Sequence, residues 1–317
     1  LPLRLPPMLP SVDTSEELDA MVRDEALLRP AAQDLCAHLG LTGARLVRFD
    51  DGSLPVYAVG GTLVLKLFPG FEAAEGVREA RVLSHLWGQL PVPTPRLHAG
   101  EMYKNGWRYV LMSRLPGVSL STAWSRIPAV EQDRIVDEAA ETLAALHSVD
   151  WKPLADVVGP ADWGTFLRRQ RAGVLEHHRA AGLPKPWLDQ IPGFLDAVRL
   201  PASGERVLLH TEFMREHLTV DPQDGWRLTG LFDFEPAMIG DPAYDFVSVG
   251  LFMSRGDPRL LRRFYQAYGR PPHDPYQLLA YTLLHVYSDL AWYLREMPAP
   301  PHPRLDALAE TWFGTDG

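Results

Sequence analysis

The sequence predicts an α+β fold in two lobes: a small antiparallel-sheet N-lobe over residues 1–115 and a larger, mainly helical C-lobe over residues 116–317. Three observations point there. Between Ala44 and Phe68 the runs ARLVRF, LPVYAV and TLVLKLF are short, β-like and separated by turn residues. Beyond Pro116-Gly117 the apolar residues recur at i, i+3 and i+4 instead. Residues 113–117 are the one good place for a hinge, because no repeat or long low-complexity linker interrupts the chain elsewhere.

The elements follow in order. From Ser15 to Leu41 the apolar spacing is helical, with Ser15 as N-cap and Gly40 as stop. The three β-like runs come next, broken at Asp50-Asp51-Gly52-Ser53 and at Gly60-Gly61. A helix is expected from Phe71 to Gln89, the proline-rich VPTPRL leads out of it, and WRYVLMSRL forms a further strand. In the second half, Gln132–His147, Thr165–His178 and Pro186–Val198 carry helical patterns. VLLH, HLTV and RLTGLFDF read as short strands around a loop, and a last helical region is expected from Pro258 through about Leu294.

Composition narrows the function. A chain of 317 residues with 46% hydrophobic and 22% charged content can bury one large core or two smaller ones. No run of about 18 apolar residues offers a membrane span, and Leu1–Pro10 is too proline-rich for a signal peptide, so a cytosolic location is expected. The single cysteine, Cys36, excludes an intrachain disulfide and lies in an apolar helical pattern, as a buried structural thiol would. A net charge of −9 argues against nucleic acid as partner and favours cationic small molecules. Lysine occurs only at positions 66, 104, 152 and 185, so a lysine inside an apolar strand needs a reason.

That lysine is Lys66 in TLVLKLF, which either snorkels from a strand edge or faces a phosphate. Glu79, thirteen residues on, is either a solvated helix charge or the carboxylate that braces such a lysine. The turn at Asp50-Asp51-Gly52-Ser53 is an ordinary hairpin turn or a cover for phosphates, through its backbone amides and the Ser53 hydroxyl. The strongest unit is VLLHTEFMREHLTV followed by GLFDFEPAMIGDPAYDF, where His210, Glu212 and His217 sit between strand segments and Asp233 follows another. This is the layout of a catalytic loop followed by a metal-binding strand end. Candidate acceptor-binding carboxylates are Glu235, two residues past Asp233, and Asp289 and Glu296, seven apart and therefore on nearly one helix face. Tyr281, Tyr287, Trp292 and Tyr293 interleave with them and could offer a flat surface to a sugar or aminocyclitol ring.

The order Lys66, Glu79, VLMSRLPG, His210-x-Glu212-x4-His217, Asp233 and GDPAYDF resembles the aminoglycoside phosphotransferase and choline kinase superfamily, with hygromycin B phosphotransferases, which are antibiotic-modifying enzymes, the nearest kind. The likeness spans residues 40 to 290. It implies a protein-kinase-like two-lobed fold and phosphate transfer from ATP, with Mg²⁺, to a hydroxyl of a small cationic acceptor. It also implies that adenine meets backbone groups of Met112–Leu115, including Ser113 and Leu115. Lys66 would hold the α- and β-phosphates and Glu79 would brace it. Glu212 would stand at the position of the catalytic aspartate, in a loop opened by His210, and His217 and Asp233 at the two metal-ligand positions. Asp241 and Asp245 match structural positions.

The chain departs from the family pattern His-x-Asp-x4-Asn twice, with Glu212 for aspartate and His217 for asparagine. The first change adds about 1.5 Å of reach at a centre where about 1 Å matters. The second offers a nitrogen that suits Mn²⁺ or Zn²⁺ better than Mg²⁺. A second reading of these changes is a nucleotide-binding pseudokinase without transfer. A metal-dependent oxygenase built on His210, Glu212 and His217 would leave Lys66, Glu79 and Asp233 without a role.

Overall fold

The structure, a computed structural model, describes residues 9–50 and 52–315. Residues 1–8, read above for a leader, and Asp51 of the first turn lie outside them. The chain divides into two compact units, one of residues 9–88, 93–116 and 230–236, the other of residues 89–92, 117–229 and 237–315. No helix among the described residues is long and apolar enough to cross a membrane.

The first unit is built on a five-stranded antiparallel sheet of β1 (Leu46–Arg48), β2 (Val56–Val59), β3 (Leu63–Phe68), β4 (Leu97–Met102) and β5 (Arg108–Ser113), in the order β1-β2-β3-β5-β4. β1, β2 and β3 pair in chain order as an antiparallel meander, as the alternation predicts. β4 is an addition to the sequence reading. Its LHAGEM has no clear alternation, contains a bulge between Leu97 and Ala99, and lies at the edge, where one side of the strand needs no partner.

The expected N-terminal helix is two helices, α1 (Ser15–Met21) and α2 (Glu25–His38), separated by a second cap. Thr14, rather than Ser15, caps α1 by accepting from Glu17 N, and Asp24 caps α2. Leu28, Ala32, Leu35 and Cys36 of α2 enter one core with Tyr57, Leu65, Phe68 and Trp107. Burial there pushes the Cys36 thiol up and keeps it protonated. Tyr57 and Tyr103 donate their hydroxyls to Glu25 and Asp34 of α2, and Trp107 Nε1 donates to the Pro10 carbonyl. The helix α3 (Ala73–Leu86) completes this unit.

The second unit is mainly helical. The long helices Ala129–Ser148, Trp163–Ala180 and Pro258–Tyr268 fall where the periodicity places them. The pattern at 186–198 forms two short helices, Lys185–Leu188 and Ile191–Ala197, the second with a proline in its first turn. The region expected to be helical from Pro258 to about Leu294 is three helices, with Pro275–Leu284 and Leu290–Glu296 following Pro258–Tyr268. Asp274 and Asp289 each start a new helix by accepting from a backbone N–H, and His285–Ser288 leave the helical path. Short strands Val207–Leu209 and Met238–Gly240 pair antiparallel, and Val118–Ser119 pairs with Leu218–Asp221.

Candidate active site

In the first unit, Lys66 lies on the central strand β3, opposite Val56 on one side and Val110 on the other, and is 5% exposed. It does not snorkel to water. Its ammonium meets Asp233 Oδ1 at 2.5 Å, Glu79 Oε2 at 3.3 Å and the carboxylate of Glu235. Glu79 is fully buried and reaches the lysine because α3 comes down close on β3. A Cβ at Gly76 would sit 2.9 Å from the Phe68 ring, so only glycine permits that approach.

Gly230–Pro236 packs with this unit although it follows the expected lobe boundary in sequence. Leu231 N donates to the Pro93 carbonyl, and the Leu115 side chain lies over Gly230. Asp233 has φ 72, a left-handed backbone uncommon for aspartate, and Arg78 holds the Glu235 carbonyl at 2.7 Å. The result is that Asp233 and Glu235 both face one amine. This corrects the expectation for Glu235, which belongs to the lysine cluster and not to an acceptor wall in the helical part.

Three carboxylates around one ammonium leave an excess of negative charge in a buried place. Burial opposes charge on Lys66, and Asp233, Glu79 and Glu235 more than reverse it, holding the amine well above its ordinary range. Burial likewise raises Glu79, against the pull of Lys66, and pushes Glu235 up to about 8. An acidic set of hard oxygen donors with unbalanced charge suits a hard divalent cation.

Ser53 is exposed in the β1–β2 turn, with Gly52 at φ 99 beside it. Ser113 N–H donates to the Arg96 carbonyl and is committed there, while its hydroxyl accepts from Arg96 N and keeps its own proton to donate. Arg114 N–H is likewise committed to the Thr62 carbonyl. Of the Ser113 and Leu115 pair, Leu115 is therefore the better candidate for a backbone contact to adenine.

In the second unit, the strand Val207–Leu209 ends in His210, Thr211 and Glu212, and a turn at Arg215–His217 leads back into Leu218–Asp221. Asp245, fully buried, anchors the loop. Its Oδ1 accepts from Thr211 N at 2.6 Å, and its Oδ2 accepts from His210 N and His147 Nε2, both at 2.9 Å. The Tyr268 hydroxyl donates to His147 Nδ1 at 2.7 Å, which keeps the imidazole proton of His147 on the nitrogen facing Asp245. Asp241 caps the turn at Pro242–Tyr244 and accepts from the Tyr281 hydroxyl, a structural role like that of Asp245.

His210 is fully buried between the rings of Phe213 and His217. It is corrected from catalytic candidate to loop support, because a side chain with no exposed surface does not meet a substrate. His217 Nδ1 donates to the Glu212 carbonyl at 2.9 Å. In the neutral ring this leaves the Nε2 lone pair as the ligating atom. A carboxylate oxygen of Glu212 and a ring nitrogen of His217 lie within 4.8 Å of each other.

Glu212 opens into a pocket of about 440 Å³ whose wall includes Glu216, Phe252, Arg255, Tyr287, Asp289 and Trp292. Asp289 is in this wall, with Oδ1 engaged by Trp292 N. Glu296 is not, because the helix holding it starts only at Leu290 and turns its side chain to solvent, while its carbonyl accepts from Arg255. Among the four aromatics, Tyr287 and Trp292 expose their faces, whereas Tyr281 is buried on Asp241 and Tyr293 donates to the Tyr287 carbonyl. Burial pushes the Tyr293 hydroxyl up to about 12. Sequence reasoning missed Met214, Ser248, Phe252, Arg255 and His285 in this wall, and His147 on Asp245 behind the loop; of these only Met214 falls within a motif span, at one of its variable positions.

Known proteins share this architecture. At 18% sequence identity, a GDP and kanamycin complex of APH(2")-IIia superposes with a TM-score of 0.70, over 90% of this chain and 95% of that one. A ternary complex of the aminoglycoside phosphotransferase APH(4)-Ia with AMP-PNP and hygromycin B gives 0.63 at 19% identity, over 90% of this chain and 99% of that one. The fold is thus that of the aminoglycoside phosphotransferases, protein-kinase-like, with an antiparallel sheet in its N-terminal part and a helical C-terminal part. In sequence, mouse acyl-CoA dehydrogenase family member 11 is 24% identical over 163 residues, 51% of this chain but only 21% of that protein's length. The profile of the phosphotransferase enzyme family matches residues 45–279, and the chain belongs to that family.

Proposed function

We propose that the protein transfers the γ-phosphoryl group of ATP to a hydroxyl of a small, polyhydroxylated cation of the aminoglycoside kind, with Glu212 as the acceptor-orienting base. The observation that carries this reading is the opening of Glu212 into a pocket that also holds Asp289 and two exposed aromatic faces. Its volume of about 440 Å³ lies in the range of small-molecule sites. Carboxylates draw a cation, and the faces of Tyr287 and Trp292 receive a ring. The net charge of −9 assists capture at low salt.

Lys66 takes the α- and β-phosphates, and Glu79 keeps it extended along β3. Asp233 and His217 carry the metal-ligand roles, oxygen favouring Mg²⁺ and imidazole nitrogen favouring Mn²⁺. A bound divalent cation supplies charge neutralisation for the phosphoryl oxygens. Glu212 accepts the proton of the attacking hydroxyl as the new O–P bond forms and the bond from the γ-phosphorus to the departing ADP oxygen breaks. Leu115 offers its backbone to the adenine, Ser53 caps the phosphates from the β1–β2 turn, and residues 113–117 serve as the boundary between the lobes.

Calorimetry with ATP and Mg²⁺ or Mn²⁺ should show binding that weakens in Lys66→Ala and in Asp233→Ala. Labelled phosphate should pass from ATP to hygromycin B or another aminoglycoside, with kcat reduced in Glu212→Gln at unchanged ATP affinity and KM for the acceptor raised in Asp289→Asn. Nucleotide binding without transfer to any cationic acceptor would replace this reading with that of a nucleotide-binding pseudokinase, which the Glu212 and His217 departures favour.

A further inference from the structure

Thr211, immediately before Glu212, has φ 75, a strained conformation for a β-branched residue. Such a backbone persists only where its surroundings over-determine it. Here both sides of the residue are held. Its N–H donates to Asp245 Oδ1, while its carbonyl accepts from Ser248 Oγ at 3.0 Å and from His285 Nε2 at 3.3 Å. That carbonyl belongs to the peptide joining Thr211 to Glu212. Because the peptide is planar, fixing its oxygen also fixes the direction in which the Glu212 Cα leaves it.

His285 comes from a distant part of the sequence, the point where the last helical region breaks after Leu284. Its ring stacks on Tyr244 at 4.6 Å and 18°, and Nδ1 accepts from Tyr287 N at 3.2 Å. Nδ1 as acceptor and Nε2–H as donor define a single neutral tautomer. Burial pushes this imidazole down to about 4, in keeping with a ring that stays neutral near pH 7. The segment that His285 starts carries Tyr287 and Asp289, so one imidazole touches both the backbone behind Glu212 and the wall facing it.

We propose that His285 is a positioning residue that ties the acceptor wall at Tyr287–Asp289 to the Thr211–Glu212 peptide and so aims the Glu212 carboxylate into the pocket. This rests on the reading of Glu212 as the base, but the tie itself has a readout independent of activity. His285→Phe keeps the ring and its stacking while removing both nitrogen functions. His285→Gln restores a side-chain N–H near the position of Nε2.

The test uses the full chain and both variants. Amide hydrogen exchange at 210–214 should quicken about tenfold in His285→Phe and return toward the wild-type rate in His285→Gln. With ATP and hygromycin B, kcat should fall by about tenfold or more in His285→Phe, with KM for ATP unchanged and partial recovery in His285→Gln. Exchange at 210–214 equal to wild type in His285→Phe overturns the proposal whether or not the wild type transfers phosphate. Faster exchange with full kcat, in an enzyme that Glu212→Gln disables, also overturns it while leaving the proposed function standing. Absence of transfer in the wild type, with the expected exchange pattern, would place the failure in the proposed function and not in the tie.

Discussion

Asp245→Asn is the substitution that most directly probes how the loop before Glu212 is held. The carboxylate accepts three hydrogen bonds from three donors, Thr211 N on Oδ1 and His210 N with His147 Nε2 on Oδ2, and no surface of the residue is exposed. An asparagine of the same shape has one oxygen to offer. Placed at Oδ2, it keeps two bonds and turns an NH₂ group against Thr211 N–H, where the two heavy atoms are now 2.6 Å apart. The opposite orientation sets two donors against the NH₂ group and is worse. A buried donor left unsatisfied costs about 1–3 kcal/mol, and each surviving bond loses about 1 kcal/mol on changing from an ionic to a neutral acceptor. The sum is roughly 3–5 kcal/mol. In a helical unit of this size the unfolding midpoint should drop by about 6–20 °C. Thermal unfolding of the full chain, followed by a probe of the helical unit so that its transition is separated from any second one, measures this directly. A midpoint within about 2 °C of wild type would refute the claim that Asp245 anchors the loop through all three bonds.

Gly240→Ala should destabilise the helical unit by about 2 kcal/mol or more, because its Cβ would lie 2.4 Å from the Trp163 ring; chemical denaturation should show a lower midpoint at unchanged slope. His285 contributes a pH term. Its folded-state value is depressed to about 4 from an ordinary 6.5, so its stabilisation is present above about pH 6.5 and is lost as pH falls toward 4, by up to about 1.4 kcal/mol per pH unit. His285→Gln should flatten stability against pH in that window, and an unchanged slope would contradict the buried neutral imidazole. Glu235 has the opposite sign. Its value is raised to about 8, so its contribution is present at low pH and lost as pH rises toward 8, and Glu235→Gln should remove one proton's worth of that slope.

Much of the fold was legible locally. Alternation in TLVLKLF and LPVYAV, bounded by Gly60-Gly61, determines antiparallel strands because the side-chain period of a strand is two. The scarcity of lysine, with Lys66 amid apolar neighbours, marked the centre of the first cluster, and the His210–Asp233 spacing marked the loop and the strand end. Each signal is carried by one local stretch of the chain, where period and spacing carry information. The division of the last helical region was less legible, since Asp274 and Asp289 act as caps only once the chain turns there.

What the tertiary structure alone decided is which distant groups converge. Glu235 lies far along the chain from Lys66 and joins it because Asp233 adopts a left-handed backbone, a state that no sequence period announces. His285 reaches the Thr211 carbonyl across 74 residues, and Asp245 gathers donors from His147, His210 and Thr211. Glu296 and Tyr281 left the expected acceptor face for the same reason: the helix that would have aligned them breaks at His285. Local patterns determine which residues form strands and helices because backbone geometry repeats over two or 3.6 residues. The meeting of side chains tens of residues apart depends on how those elements pack, and packing has no period to read.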